Sequence, residues 1–222
     1  MQEILYAQAK HAILIVLQGP DTSGKDATIR KVFCPLNPLG VNAVSFKVPT
    51  PRELAHDFLW RIHKKVPPAG IIGIFNRSHY EDVVVARIHR LVPLDRIEAR
   101  YDEINSFERH LTENGVTIVK FFLLISKEEQ KSRLQARLDD PTKRWKFSPA
   151  DFAERRLWED YMSAYQLALE RCSTESAPWF VVPADRKWFR NAVVARIVRR
   201  MLEALDLTYP ADLRGLDEMR IE

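Results

Sequence analysis

Short apolar segments separated by longer polar and amphipathic segments dominate the pattern of the chain. The segment over 11–18 is apolar at successive positions rather than at alternate ones, which is typical of a parallel strand covered on both faces. Strands alternate with helical segments throughout, so we expect an α/β fold: a three-layer sandwich in which a parallel five-stranded sheet carries helices on both faces. The predicted strands cover 11–18, 41–47, 71–75, 116–125 and 179–183.

The segments between the predicted strands carry signals for the start and end of helices. Thr50-Pro51-Arg52-Glu53 combines an N-cap threonine, a proline at the first helical position and a glutamate that reaches back. The predicted helices cover 27–33, 51–65, 83–114 with an interruption near Pro93, 127–138, 148–172 and 187–205. Because no linker divides the chain, we expect residues 1–222 to form a single domain.

The loop after the first predicted strand has the G-x-x-x-x-G-K spacing of a phosphate-binding loop, met by Gly19, Gly24 and Lys25. Its glycines allow a tight turn in which backbone N–H groups, here around Thr22 and Ser23, point at a phosphate oxygen. The following helix adds its positive dipole end, and Lys25 supplies a mobile ammonium. A glycine turn with chance spacing is the alternative, but the strand before the loop and the helix after it favour phosphate binding.

Two carboxylates make this loop unusual. Asp21 lies inside it, and Asp26 follows Lys25 at the position where most such loops carry Ser or Thr to hold Mg²⁺. A carboxylate beside phosphate is favourable when one or two Mg²⁺ ions lie between them. The loop therefore predicts a magnesium-dependent phosphate site.

A second polar cluster follows the third predicted strand and contains Asn76, Arg77, Tyr80, Glu81 and Asp82. Ligands of parallel sheets bind outside the carboxyl ends of the strands, so this cluster should face the same crevice as the loop. Arg77 can clamp phosphate with its forked donors, and Glu81 and Asp82 can bind metal directly or through water. For the two acids, a helix N-terminus that simply prefers acidic residues is an equal alternative.

A basic segment over about 133–148 is the third candidate site. Its first two arginines are four residues apart and share one helix face, and the polar stretch after them has no apolar period. Such a segment suits a lid that closes over phosphates, excludes water and adds positive charge, whereas the alternative is a solvated basic loop. The candidate cations are Arg133, Arg137, Lys143 and Lys146.

Two further cations lie near the predicted crevice. Lys47 ends the second predicted strand and can therefore reach the crevice. Arg61 falls on the helix that follows, and we expect it on a solvated face.

The composition of the chain limits which classes of protein it can belong to. A chain of 222 residues with 46% hydrophobic residues and a net charge of +4 is ordinary for a globular protein, and its positive charge fits a polyanionic ligand. Nucleic acid would satisfy that charge equally well. Cys34 and Cys172 have no metal-type spacing, which argues against zinc and against a disulfide scaffold and fits a reducing compartment. Because the chain shows neither a membrane span nor a secretion signal, we expect a cytoplasmic protein that does not enter membranes.

Three linked motifs resemble the polyphosphate kinase 2 family in order and spacing, and the resemblance covers nearly the whole chain. The intervening stretches over 45–50 and 55–61 fit the family too. The motifs are Gly19-Pro20-Asp21-Thr22-Ser23-Gly24-Lys25-Asp26, Phe75-Asn76-Arg77-Ser78-His79-Tyr80-Glu81-Asp82 and the stretch from Arg137 to Ser148.

The resemblance implies a P-loop kinase fold with a lid helix, and Mg²⁺-assisted phosphoryl transfer between inorganic polyphosphate and nucleotides. It implies that Asp21 binds metal and helps to activate the acceptor phosphate, and that Lys25 and Arg77 neutralise the phosphates in flight. Lys47 and the basic lid residues would line the path of polyphosphate. The version with Asn76 and Glu81 resembles the subclass that phosphorylates both AMP and ADP.

These expectations give a catalytic set of Asp21, Lys25, Arg77 and Asp82, with Asp21 and Asp82 as metal ligands. The expected partners are polyphosphate and adenine nucleotides, with guanine nucleotides left open, in a homo-oligomer (dimer or tetramer) that does not bind nucleic acid. Two alternatives stay open: a P-loop kinase that uses ATP as its donor, and a non-catalytic nucleic-acid-binding module. Steep salt dependence of binding without nucleotide turnover would identify the second.

Overall fold

The computed structural model describes residues 1–148 and 150–211, apart from the side chain of Lys146. The predicted helix start at Pro149 and the tail beyond residue 211 lie outside this part of the chain. One parallel sheet organises the described residues, with the strand order β2-β3-β1-β4-β5. The strands are β1 (Ala12–Gln18), β2 (Val41–Ser45), β3 (Ile72–Asn76), β4 (Val116–Leu124) and β5 (Trp179–Pro183).

Helices connect and cover the strands. The chain opens with α1 (Gln2–Gln8), which the sequence pattern did not predict. α2 (Lys25–Thr28) follows the phosphate loop and continues as a π-helical turn (Ile29–Phe33). The others are α3 (Pro51–Leu54), α4 (Trp60–His63), α5 (Glu81–Ile88), α6 (Leu94–Glu113), α7 (Lys127–Asp139), α8 (Ala150–Arg156), α9 (Trp158–Cys172) and α10 (Lys187–Ala204), with 3-10 turns at Pro38–Gly40 and Arg144–Lys146.

The core lies on both sides of the sheet, as expected for strands without polar alternation. β1 shows the division: Leu14 and Val16 pack with α5, α6 and α9, whereas Ile13 and Ile15 face the side of α1 and α10. The predicted parallel five-stranded α/β sandwich is therefore confirmed. Among the described residues, no helix has both the length and the apolar character needed to span a membrane.

The helix predicted over 51–65 is wrong, because the segment forms two short helices. The capping box of Thr50 and Glu53 is present as predicted, with the Thr50 hydroxyl accepting from the Glu53 N–H. The helix stops after Leu54, and the Asp57 carboxylate accepts a hydrogen bond from the Leu59 N–H at 3.0 Å. Such a local side-chain bond offers the backbone an alternative to the helix, and a second short helix starts beyond it. The helix predicted over 148–172 is likewise divided, between α8 and α9.

Strand register places the predicted site residues at one edge of the sheet. Leu17 of β1 pairs with Asn76 of β3, and Asn76 pairs in turn with Ser45 of β2. The carboxyl ends of these three strands therefore lie side by side. The phosphate loop, Lys47 and the segment that begins at Arg77 all leave the sheet from this edge.

Candidate active site

The phosphate loop leaves β1 in a conformation that requires glycine at both defining positions. Gly19 has a φ of 146°, and a Cβ there would lie 2.6 Å from the Leu123 carbonyl oxygen. Gly24 has a φ of 100° and serves as N-cap of α2. Thr22 adopts the left-handed region at a φ of 67° without being glycine, which is uncommon and often accompanies a functional site.

Lys25 folds across its own loop. Its Nζ donates to the Gly19 carbonyl oxygen at 2.6 Å and to the Pro20 carbonyl oxygen at 3.2 Å. Burial lowers the pKa of Lys25 to about 8, against the opposing effect of the nearby Asp21 carboxylate. The ammonium is therefore held in the loop by neutral carbonyls, and a bound phosphate would offer it a charged partner.

Two hydroxyl groups in the loop are buried without a hydrogen-bond partner. Thr22 Oγ1 and Ser23 Oγ make no hydrogen bond to any described residue. Buried polar atoms are nearly always paired, so such atoms beside a lysine and left-handed backbone are what a ligand-binding loop would show. This arrangement suits an anion that accepts from N–H, O–H and ammonium donors together.

Arg77 faces the loop, as the sequence predicted. Its Nη2 donates to Asp21 Oδ1 at 2.9 Å, and both side chains remain partly exposed, by 41% and 36%. Burial acts to lower the pKa of Arg77, but the carboxylates of Glu81 and Asp21 outweigh it and raise the pKa. The residue sits at a φ of 62°, a second left-handed position at this edge of the sheet. Its charge is thus fixed and accessible beside the loop.

Asn76 and Glu81 also belong to this site. Asn76 Nδ2 donates to Asp26 Oδ1 at 2.5 Å, which ties the end of β3 to the start of α2. Burial raises the pKa of Glu81, and the charges of Arg77 and Lys25 act against that rise. The geometry therefore brings the loop and the second motif together around Lys25.

Tyr80 and Asp82 are placed differently from the rest of their motif. The Tyr80 side chain is 1% exposed and turns into the core, where its hydroxyl bonds with Glu108 and Lys120. The partners of Asp82 are Arg61, at 3.5 Å, and Arg100, at 4.0 Å, rather than groups of the phosphate loop. The roles of both residues in binding or catalysis stay predictions from the sequence.

The expectation that Arg61 lies on a solvated face is wrong. Its side chain is buried, and besides approaching Asp82 it donates to the Lys47 carbonyl oxygen at 2.8 Å. β2 ends at Ser45, two residues earlier than predicted, and the exposed Lys47 side chain follows just beyond the strand. Arg61 therefore fixes the backbone that carries Lys47.

The cations of the predicted lid fall into two groups. Arg133 on α7 reaches back to the loop, where Nη1 donates to the Thr22 and Ser23 carbonyl oxygens at 2.9 and 3.2 Å. Arg137 lies 4.0 Å from Asp151 on α8, and Lys143 forms an exposed ion pair with Asp140. Arg133 thus holds the backbone of the loop. That Arg137 and Lys143 line a path for polyphosphate stays a prediction. The Lys146 side chain lies outside the described part of the chain.

Magnesium would be held here with the help of the substrate. Among the described residues, no group of three or more His, Cys, Asp or Glu side chains could hold a metal ion. Mg²⁺ commonly binds through one or two carboxylates plus substrate phosphates and waters, and the accessible Asp21 carboxylate fits that arrangement. Asp82 Oδ2 accepts no hydrogen bond from a described residue, but the adjacent guanidinium of Arg61 would repel a cation.

Sequence reasoning missed two buried cations. Arg190 lies beneath the phosphate loop, and it shares a face of α10 with Val194 and Val198 at a spacing of four. Lys120 lies in the middle of β4, between apolar neighbours. A cation on an apolar helix stripe or inside an apolar strand is the signal that could have identified both.

Comparison with known proteins places these features in a family. The sequence profile described as Polyphosphate kinase 2 matches residues 1–210. A relative from Meiothermus ruber, named AMP/ADP-polyphosphate phosphotransferase, is 52% identical over 222 residues, which cover all of this chain and 83% of the relative. A relative from Rhodopseudomonas palustris, named ADP-polyphosphate phosphotransferase, is 44% identical over a match that covers 95% of this chain and 77% of the relative.

The fold agrees with that assignment. The crystal structure of Polyphosphate Kinase 2 from Arthrobacter aurescens TC1 superposes with a TM-score of 0.95 at 49% identity, over 98% of this chain and 78% of that one. A putative polyphosphate kinase 2 from Pseudomonas aeruginosa PA01 gives a TM-score of 0.87 at 35% identity, over 91% and 44%. From its sequence, its sheet topology and its phosphate loop, the chain belongs to the polyphosphate kinase 2 family.

Proposed function

We propose that this chain transfers a phosphoryl group from inorganic polyphosphate to AMP and to ADP, with Mg²⁺ as cofactor. The observation that carries the proposal is the convergence of Lys25, Arg77 and Asp21 around a loop whose buried hydroxyls have no partner among the described residues. The names of the relatives from Meiothermus ruber and Rhodopseudomonas palustris support the choice of substrates.

The chemistry asks the protein mainly for positioning and charge. An oxygen of the acceptor's terminal phosphate attacks the terminal phosphorus of polyphosphate in line, the phosphoanhydride bond behind it breaks, and the chain leaves one unit shorter. Because the attacking oxygen is already anionic, no strong general base is required. Lys25 and Arg77 would stabilise charge on the transferring phosphoryl group. Bound Mg²⁺ would neutralise phosphate oxygens next to Asp21.

The second motif and the name of one relative support a proposal for the acceptor range. Asn76 and Glu81 stand beside Lys25 and Arg77 in this chain, and the relative from Meiothermus ruber that is 52% identical has both AMP and ADP in its name. We therefore propose that AMP and ADP are both acceptors. Use of guanine nucleotides, a homo-oligomeric state, a single domain with a lid over 133–148, a cytoplasmic location and the absence of nucleic-acid binding stay predictions from the sequence.

The test is nucleotide chromatography after incubation of the protein with Mg²⁺, long-chain polyphosphate and either AMP or ADP. ATP formed from ADP only when polyphosphate is present, and ADP plus ATP formed from AMP, would support the proposal. Lys25→Ala should abolish both products, whereas Lys31→Ala removes the same charge from an exposed position just beyond α2 and should keep them. Transfer from ATP but not from polyphosphate would overturn the proposal in favour of an ATP-dependent kinase.

A further inference from the structure

We propose that Arg190 is a positioning residue of the phosphate loop, and that its buried charge strengthens the binding of polyphosphate. The inference concerns the donor side of the proposed reaction and so rests on the proposed function for its substrate. It is carried by the hydrogen bonds, packing and charge environment of this one side chain.

Arg190 holds the loop from the side of α10. It is 1% exposed, and its Nη1 donates to the Ser23 carbonyl oxygen at 3.1 Å. Its Nε and Nη2 both donate to Asn191 Oδ1, at 3.2 and 2.9 Å, so the guanidinium is fixed in orientation. A side chain that starts 167 residues further along the chain thus bonds directly to the backbone of the loop.

The guanidinium also occupies the space that a side chain at position 24 would need. A Cβ built on Gly24 would lie 1.8 Å from Arg190 Nη1 and 2.7 Å from Cζ. Gly24 is therefore required both for its φ of 100° and for the close approach of Arg190. The second glycine of the motif and this arginine form one packing unit.

Two arginines converge on the same carbonyl. The Ser23 carbonyl oxygen accepts from Arg133 as well as from Arg190, at 3.2 and 3.1 Å. In a trans peptide the C=O and the next N–H point in opposite directions, so holding this oxygen directs the Gly24 N–H to the other side of the loop. Backbone N–H groups presented in this way are the donors that a phosphate loop offers to its ligand.

The charge environment separates Arg190 from an ordinary structural arginine. Arg133 forms an ion pair with Glu129 at 2.7 Å, but no carboxylate among the described residues pairs with Arg190. Burial, reinforced by the charge of Arg133, lowers the pKa of Arg190 to about 10, so it remains a cation at neutral pH. A buried charge without a counter-ion is unfavourable, and an anion bound on the loop would relieve it.

The deciding experiment compares Arg190→Met with Arg200→Met. Both substitutions remove one positive charge from α10, but Arg200 is exposed. Binding of a polyphosphate of defined length is measured by calorimetry without nucleotide, and kcat and KM are then measured separately for polyphosphate and for ADP. Circular dichroism and the unfolding midpoint identify any variant that does not fold.

We expect Arg190→Met to weaken polyphosphate binding and to lower kcat/KM for polyphosphate at least about 10-fold, the value of one lost charged hydrogen bond, while KM for ADP changes less than about threefold. Arg190→Lys, which keeps the charge without the fork, should bind polyphosphate more tightly than Arg190→Met but should not restore the wild-type kcat/KM for polyphosphate. A loss of stability alone would not produce this difference between the two substrates.

The inference is overturned if folded Arg190→Met binds polyphosphate and turns over within about threefold of Arg200→Met. If Arg190→Met does not fold, Arg190→Gln, which can still donate to the Ser23 carbonyl, is judged by the same limits. The binding measurement also separates the two proposals. Wild-type protein that binds polyphosphate but makes no ATP would contradict the proposed function, while the role of Arg190 in binding would still be decided by its variants.

Discussion

A buried ion pair beneath the second motif gives the sharpest test of how this site is supported. Lys120 and Glu108 are almost completely buried, and Lys120 Nζ donates to Glu108 Oε2, to the Tyr80 hydroxyl at 2.9 Å and to the Cys172 carbonyl oxygen at 2.7 Å. The other Glu108 oxygen accepts from Tyr80 at 2.9 Å and lies 3.2 Å from His79 Nε2. The perturbation is Lys120→Met, which keeps an unbranched apolar stem and removes the ammonium.

The expected cost follows from what the substitution leaves behind. Burial acts to raise the pKa of Glu108, but the hydrogen bond with His79 and the charge of Lys120 outweigh it and hold the pKa below its ordinary value. Among the described residues, the carboxylate without Lys120 keeps His79 and Tyr80 as partners. Removing one member of a buried pair costs about 3–5 kcal/mol, a large share of the roughly 5–15 kcal/mol that stabilises a domain.

Urea unfolding at neutral pH measures this loss, with the slope m checked for two-state behaviour. Lys127→Met is the matched control, because Lys127 pairs with Glu159 at 3.2 Å on the surface and should lose less than about 1 kcal/mol. Adding Glu108→Gln to Lys120→Met removes the stranded charge and should restore at least about 1 kcal/mol.

The reasoning fails if Lys120→Met loses no more stability than Lys127→Met, or if the double variant is no more stable than Lys120→Met. A further consequence concerns the site itself. His79 and Tyr80 directly follow the segment that carries Arg77, so a folded Lys120→Met protein should also show lower kcat at temperatures well below its unfolding midpoint.

Three other predictions concern the phosphate loop. Lys25→Ala and Arg77→Ala should each lower the kcat of ATP formation at least about 100-fold, or about 2.7 kcal/mol of transition-state stabilisation, and near-normal turnover in both would refute the site assignment. Because Lys25 carries its charge below a pKa of about 8 and loses it above, kcat/KM for polyphosphate should fall as the pH rises through 8, and Lys25→Arg should flatten this part of the profile. Gly24→Ala should destabilise the protein by more than Gly115→Ala in urea unfolding: both have positive φ, but a Cβ at Gly24 meets Arg190 at 1.8 Å, whereas at Gly115 the nearest atom is 3.7 Å away. Equal losses would remove the packing argument.

The sheet and the phosphate loop could be predicted because their signals are local. Continuous apolar runs define β1 and β3. The spacing from Gly19 to Lys25 indicates a phosphate loop because its glycines allow the tight turn that such a loop needs. The break after Leu54 could not be predicted from periodicity, because it accompanies one side-chain hydrogen bond of Asp57. A side-chain bond of this kind competes with the backbone bonds of the helix, and the apolar pattern does not show which of the two forms.

The surroundings of the site depend on contacts between distant parts of the chain. Tyr80 carries a phenol within a polar motif, yet its partners Glu108 and Lys120 are 28 and 40 residues away and draw it into the core. Arg61 is buried because the Asp82 carboxylate and the Lys47 carbonyl oxygen face it across the crevice edge. The contacts of Tyr80 and of Arg61 produce no periodic pattern in the sequence. The folded structure is therefore needed to show which polar residues of a motif support the fold.

The cations around the phosphate loop are arranged in a way that makes the ligand part of the stability of the site. Lys25 and Arg77 interact unfavourably with each other, as do Arg133 and Arg190. Asp21 pairs with Arg77 and Glu129 pairs with Arg133, whereas no carboxylate among the described residues pairs with Arg190. Such repulsion destabilises the ligand-free protein, and a bound polyanion would offset it. We therefore expect polyphosphate to raise the unfolding midpoint, and by mass action the rise should grow with its concentration relative to Kd.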